Sequence, residues 1–108
     1  MIPQLPVAEL ARWRAEPGRT APVLVDVREP WEFEYCRIDG SVSVPLAELP
    51  RRVAELPRDR PLVVVCHHGH RSWHAAAMLL RAGFQDVFNL RGGVAAWAAE
   101  IEPAMRTY

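Results

Sequence analysis

The chain has 108 residues, half of them hydrophobic, with 13 basic and 13 acidic side chains, so one domain over residues 1–108 with its own core is expected. Balanced charge argues against a nucleic-acid binder, which needs surplus Lys and Arg to neutralise phosphates. The apolar runs are too short to span a bilayer, the start "MIPQLPVAELARW" lacks the pattern of a signal peptide, and two cysteines make no disulfide framework, so a cytoplasmic protein with free thiols and no membrane partner is expected.

In chain order, "PVAELARWRAEPG" predicts a short helix with Val7, Leu10 and Ala11 facing inward, ended by Pro17-Gly18. Pro22–Val27 is a continuous apolar run, read as a strand buried on both faces. Pro30 at a first helical position opens a short helix through Tyr35, and "SVSVP" suggests a short strand. In "LAELPRRVAELP", Leu46, Leu49, Val53 and Leu56 keep helical spacing, and Pro50 divides the segment into a turn and a helix that starts there. Pro61–Cys66 is the second buried strand. Ser72–Ala82 follows as a helix apolar nearly all round, closed by Gly83. "DVFNL" is a third buried strand and "GGVAAWAAEI" the last helix. Strands alternating with helices predict an α/β fold, a central parallel sheet flanked by helices on both faces.

Ligands of open parallel sheets bind beyond the carboxyl ends of the strands. Polar residues collect at three such ends: Asp26-Val27-Arg28-Glu29, the loop after Cys66, and Asn89 to Gly93. Between Cys66 and the helix near Ser72 the chain must turn tightly, and Gly69 permits this. Successive backbone amides in such an arc can form an anion-holding nest, reinforced by the helix N-terminus. A cysteine at its mouth should ionise readily, and His67, His68, His70 and Arg71 add positive potential. The implied chemistry is a sulfur nucleophile facing an anionic substrate.

Plainer readings apply elsewhere. Cys36 is read as a small buried hydrophobe. "CHHGH" is dense in metal-ligating types, but adjacent ligands on a tight loop rarely converge on one ion and the usual spaced pairs are missing, so no metal is expected. His74 is read as a helix-face residue, Trp73 and Trp97 as packing residues, and Gly92-Gly93 as a tight turn into the last helix.

Four segments, in order, resemble the rhodanese family over nearly the whole chain: "VLVDVREPWEFE", "CRIDGSVSVPL", "CHHGHRS" and "NLRGGVAAW". The third is similar to the family's active-site loop Cys-x-x-Gly-x-Arg-Ser. The resemblance implies a rhodanese-like fold and a sulfurtransferase of thiosulfate type, with a persulfide carried on Cys66 and no cofactor. It implies that backbone amides from His67 through His68, Gly69, His70 and Arg71 to Ser72 hold the persulfide and the departing anion. It also implies that Arg71 braces the loop, with Asp26 and Arg28 supporting it from the neighbouring strand end. The expected partners are a small donor (thiosulfate or a persulfide), a cyanide or thiol acceptor, and a sulfur-relay protein. Arg37 and Asp39 depart from the family's usual histidine and proline. Related phosphatases use a wider Cys-x5-Arg loop, whereas Arg71 follows Cys66 as Cys-x4-Arg, which ranks a phosphatase or arsenate reductase below sulfur transfer. A non-enzymatic persulfide carrier or binding module remains the other alternative.

Overall fold

The continuous apolar runs form the centre of the sheet in the computed structural model, which describes residues 2–108; Met1, inside the expected domain, lies outside the described residues. Strands β2 (Val23–Asp26) and β4 (Leu62–Val65) pair in parallel, with Val25 opposite Val64. β5 (Val87–Leu90) flanks β4, and β3 (Val42–Ser43) flanks β2. A fifth strand was not expected: β1 (Gln4–Leu5) pairs parallel with β5 at Asn89 and Leu90. Two residues are too few to display a strand period in sequence. The order is β1-β5-β4-β2-β3. The chain leaves β2 toward one edge and β4 toward the other, so the order reverses between these two strands. That is where a parallel sheet opens a crevice for ligands.

Because side chains alternate across a strand, each central strand supplies two layers. On one face Val25, Leu62, Val64 and Cys66 pack with Leu49 and with Ala75, Ala76 and Leu79 of α4 (His70–Arg81). On the other, Leu24, Val63, Val65 and Leu90 pack with Val7, Leu10 and Trp13 of α1 (Val7–Ala15) and with Val94 and Trp97 of α5 (Gly93–Glu100). Helices thus cover both faces. In α1 the third inward residue is Trp13, while Ala11 is only half-buried.

Two helical expectations change. Leu46 to Leu56 is not a turn and one helix but a 3₁₀ turn (Leu46–Glu48), a single α turn α3 (Leu49–Arg52) and a second 3₁₀ turn (Val53–Glu55). Pro50 has no N–H for the hydrogen-bond ladder, so it sits in a first turn and the segment breaks up around it. α4 starts at His70, two residues early, because Gly69 completes the turn at φ 103°. It buries one face only, through Ser72, Ala75, Ala76 and Leu79; Trp73 stands exposed rather than packed, and His74 is exposed as read from the sequence. Gly83 follows the last turn at φ 97°, and Trp97 is buried.

Candidate active site

Cys66 leaves β4 at the reversal point, and its side chain turns back under the start of α4. The Gly69 amide donates to Cys66 Sγ at 3.0 Å, and Ser72 Oγ lies 3.2 Å from the same sulfur. The arc is short because Gly69 adopts a left-handed conformation that residues with a Cβ take at a cost. Its outer side is clamped by α5, whose Val94 and Ala95 amides donate to the carbonyls of Cys66 and His67 (2.9 and 3.0 Å). Gly93, at φ 60°, touches this backbone directly; a Cβ there would stand 2.6 Å from the His67 carbonyl carbon. The double glycine is therefore more than a turn: it lets the last helix reach the loop.

Asp26 and Arg28 form a buried pair beside the loop. Asp26 Oδ2 accepts from Arg28 Nη2 at 2.8 Å, and Oδ1 accepts from the Arg28 backbone amide and Nε, both at 3.0 Å. Arg28 also donates to the Cys36 carbonyl (2.6 Å) and the Tyr108 hydroxyl (2.9 Å). Burial opposes the charge of Arg28, but its bonds to Asp26, the Asp26 charge, and bonds to Tyr108 and Cys36 outweigh that and hold the guanidinium above its ordinary value.

Arg71 meets Glu32 from α2 (Pro30–Tyr35) in a two-bond fork, Nη1 to Oε1 at 2.6 Å and Nη2 to Oε2 at 3.0 Å. The Tyr108 hydroxyl donates to Glu32 Oε2 at 2.6 Å, and the Glu29 amide donates to Oε1 at 2.9 Å. Arg71 above all, then Tyr108 and Glu29, pull the Glu32 carboxyl down to about 2 against the upward push of burial. Tyr108 is pushed up to about 12, mainly by burial and then by its bond to Glu32. The loop is thus tied to α2 by an ion pair.

The histidines divide. His67 is half-buried, stacked on Tyr108 with ring centroids 4.4 Å apart and planes at 25°. Burial, then the neighbouring His68, lowers its affinity for a proton, so His67 does not contribute the positive charge expected of it near neutral pH. His68 and His70 are exposed. They line a cleft of about 270 Å³ beside Gly69, with Trp73, Asn89 and Arg91. Among the described residues, no three His, Cys, Asp or Glu side chains converge to hold a metal ion. Both cysteines are free, and their side chains pack on opposite faces of the sheet.

Three residues at the site were not singled out by the sequence. Asn89, noted only within a polar strand end, bonds Ser72 Oγ, the Gly69 carbonyl (3.1 Å) and Gln4 Oε1 (3.0 Å). Glu32 had a local signal in its three-residue spacing from Glu29, a capping box at the start of α2. Tyr108 had none, since its partners lie 76 and 80 residues away.

A sulfur held by a backbone amide at the mouth of a helix, on the carboxyl rim of a parallel sheet, defines an α/β domain built around a cysteine loop. Residues 7–100 match the model of the rhodanese-like domain, and the chain belongs to that family. It is 42% identical over 76 residues to a sulfurtransferase of Allochromatium vinosum, covering 70% of this chain and 71% of that protein. It is 45% identical over 75 residues to the thiosulfate sulfurtransferase GlpE of Pseudomonas syringae pv. syringae, covering 69% and 71%. A probable adenylyltransferase/sulfurtransferase, MoeZ of Mycobacterium tuberculosis, is 40% identical over 102 residues, 93% of this chain; the chain spans only 26% of that protein's length. The crystal structure of a rhodanese-related protein from Thermoplasma volcanium superposes with a TM-score of 0.84 at 30% identity, covering 96% of this chain and 97% of that one.

Proposed function

We propose that this chain is a sulfurtransferase that moves a sulfane sulfur from a donor such as thiosulfate to cyanide or a thiol. The observation that carries the reading is Cys66 Sγ, bonded by the Gly69 amide at 3.0 Å inside a Cys-x4-Arg loop at the start of α4. The Cys66 thiolate attacks the outer sulfur of thiosulfate. The S–S bond breaks and sulfite leaves with the bonding electron pair, leaving a persulfide on Cys66. An acceptor thiolate or cyanide then attacks the outer sulfur and returns the Cys66 thiolate, a ping-pong cycle. Loop amides and the positive end of α4 stabilise the anions. Arg71 holds the loop to α2 through Glu32, and Asp26 and Arg28 anchor the adjoining strand end. Residues 1–108 are read as one rhodanese-like domain. A cytoplasmic location suits the two free thiols, and no helix is long and apolar enough to cross a membrane among the described residues.

Intact mass after incubation with thiosulfate tests this. The protein should gain one sulfur atom and lose it again on addition of cyanide. Cys66→Ser, nearly isosteric, should stay folded and gain nothing. A sulfur gained by Cys66→Ser, or none gained by the parent protein, would overturn the assignment. Steady release of thiocyanate over many turnovers distinguishes an enzyme from a carrier that loads once.

A further inference from the structure

Ser72 has a single hydroxyl hydrogen, and two neighbours compete for it. On one side Cys66 Sγ is 3.2 Å away; on the other stands Asn89 Oδ1. The amide of Asn89 can face in only one direction. Its Nδ2 lies 3.1 Å from the Gly69 carbonyl, which can only accept, so the NH₂ group must face that carbonyl. Gln4 Oε1, 3.0 Å away, accepts from the same nitrogen. The oxygen of Asn89 therefore faces Ser72. An amide oxygen can only accept as well, so the Ser72 hydroxyl donates to Asn89. What Ser72 then presents to sulfur is a lone pair.

The consequence falls on Cys66. Its thiol donates S–H to Ser72 Oγ in this arrangement, whereas a thiolate would face a lone pair. Ionisation sends the S–H proton to bulk water, and Ser72 can donate to the resulting anion only if its hydroxyl swings from Asn89 to sulfur. Asn89, buried at 2% exposure, then leaves its oxygen without that donor, a state that costs free energy. The Gly69 amide at 3.0 Å works the other way and favours the anion. We propose that Asn89 is a positioning residue that holds the Ser72 hydroxyl away from Cys66 and so sets the fraction of Cys66 present as thiolate. The other charged or titratable groups of the loop and of the elements tied to it are His67 and His68, His70 and Arg71 on α4, Glu32 on α2, which pairs with Arg71, and Tyr108, which bonds Glu32. None of these takes the Ser72 hydrogen. This deepens the reading of Cys66 as the nucleophile, yet its test uses alkylation and does not depend on sulfur transfer.

The test measures the rate of alkylation by iodoacetamide against pH, followed by intact mass, in a Cys36→Ala background where Cys66 is the one thiol. Asn89→Leu frees the Ser72 hydroxyl to donate to sulfur, so the rate-against-pH curve should move to lower pH by about one unit. Well below the midpoint this is about tenfold faster alkylation. Asn89→Ala, a smaller residue, should shift it the same way and serves if leucine does not pack; near-ultraviolet circular dichroism checks the fold of each. In a Ser72→Ala background neither substitution should move the midpoint, because no hydroxyl remains to redirect. A purely structural Asn89 would alter the rate at every pH and would do so with or without Ser72. An unmoved midpoint in the folded Asn89 variants, or an equal shift in the Ser72→Ala background, refutes the proposal. Failure of thiosulfate loading with the expected alkylation shift would count against the sulfurtransferase reading alone.

Discussion

Replacing Glu32 by Gln removes the charge that ties the cysteine loop to α2 while keeping the side chain's size. Its carboxyl is held at about 2 against an ordinary 4.5. Each unit of that difference corresponds to about 1.4 kcal/mol, or about 3.4 kcal/mol in all. The Arg71 side chain is 38% exposed, so water screens part of the interaction, and about 2 kcal/mol is a sounder figure. For a domain of this size that is roughly 10 °C in Tm. The sign follows from the direction of the shift. Because the folded value lies below the unfolded one, the stabilisation is present above about 4.5 and is lost as pH falls through that value towards about 2. Urea unfolding between pH 7 and pH 2 should show the parent protein losing this contribution across that window. Glu32→Gln should start lower at pH 7 and show a shallower decline in acid. Equal pH dependence in the two proteins would refute the argument that Glu32 is a paired, buried carboxylate.

Gly93→Ala should cost about 3 kcal/mol, combining a left-handed backbone that alanine resists with overlap against the loop, and chemical denaturation measures it. Loading from thiosulfate should fall along with stability in that variant, because the overlap is with the backbone of Cys66 and His67 themselves. Cys36→Ala should leave turnover nearly unchanged, and mass mapping after mild oxidation should find no Cys36–Cys66 disulfide, since the two side chains pack on opposite faces of the sheet. Phosphate monoesters should not be hydrolysed; robust release of phosphate would overturn the reading of the Cys-x4-Arg spacing.

What the sequence disclosed tracks how local each signal is. β2 and β4 were legible because a strand buried on both faces needs an unbroken apolar run. The cysteine loop was legible because its cysteine, glycine and helix start lie within seven residues of chain. β1 was not, since two residues carry no period, and its place depends on β5 far along the chain. The breakdown of Leu46 to Leu56 into short turns was half-legible: Pro50 marked a break, but not the 3₁₀ turns on either side. Trp13 sits one helical turn beyond Leu10, and only the shared packing with α5 shows why it is buried. The supports of the loop were least visible. Glu32 meets Arg71 across 39 residues and Tyr108 across 76, distances over which pattern says nothing about contact.

These supports also revise where positive charge acts. The sequence suggested a loop crowded with cations aimed at an anionic substrate. In the fold, Arg28 is committed to Asp26 and Arg71 to Glu32, and His67 is pressed against Tyr108 with its proton affinity lowered. A guanidinium paired with a carboxylate in a two-bond fork has its charge balanced there, so its pull on a second anion is weakened. On the proposed mechanism, the sulfur and the departing sulfite must therefore rely on backbone amides and the start of α4, with His68 and His70 at the rim. Amides suit that role because they are fixed by the turn at Gly69 and by the clamp from α5, and they need no reorganisation as charge moves between donor, cysteine and acceptor. On that mechanism Arg71 serves the same end indirectly, since a loop pinned to α2 keeps its amides aimed. On the same reading, a cradle for one sulfur has to resist widening, and the loop is held by the Glu32–Arg71 pair on one side and by the close approach of Gly93 on the other.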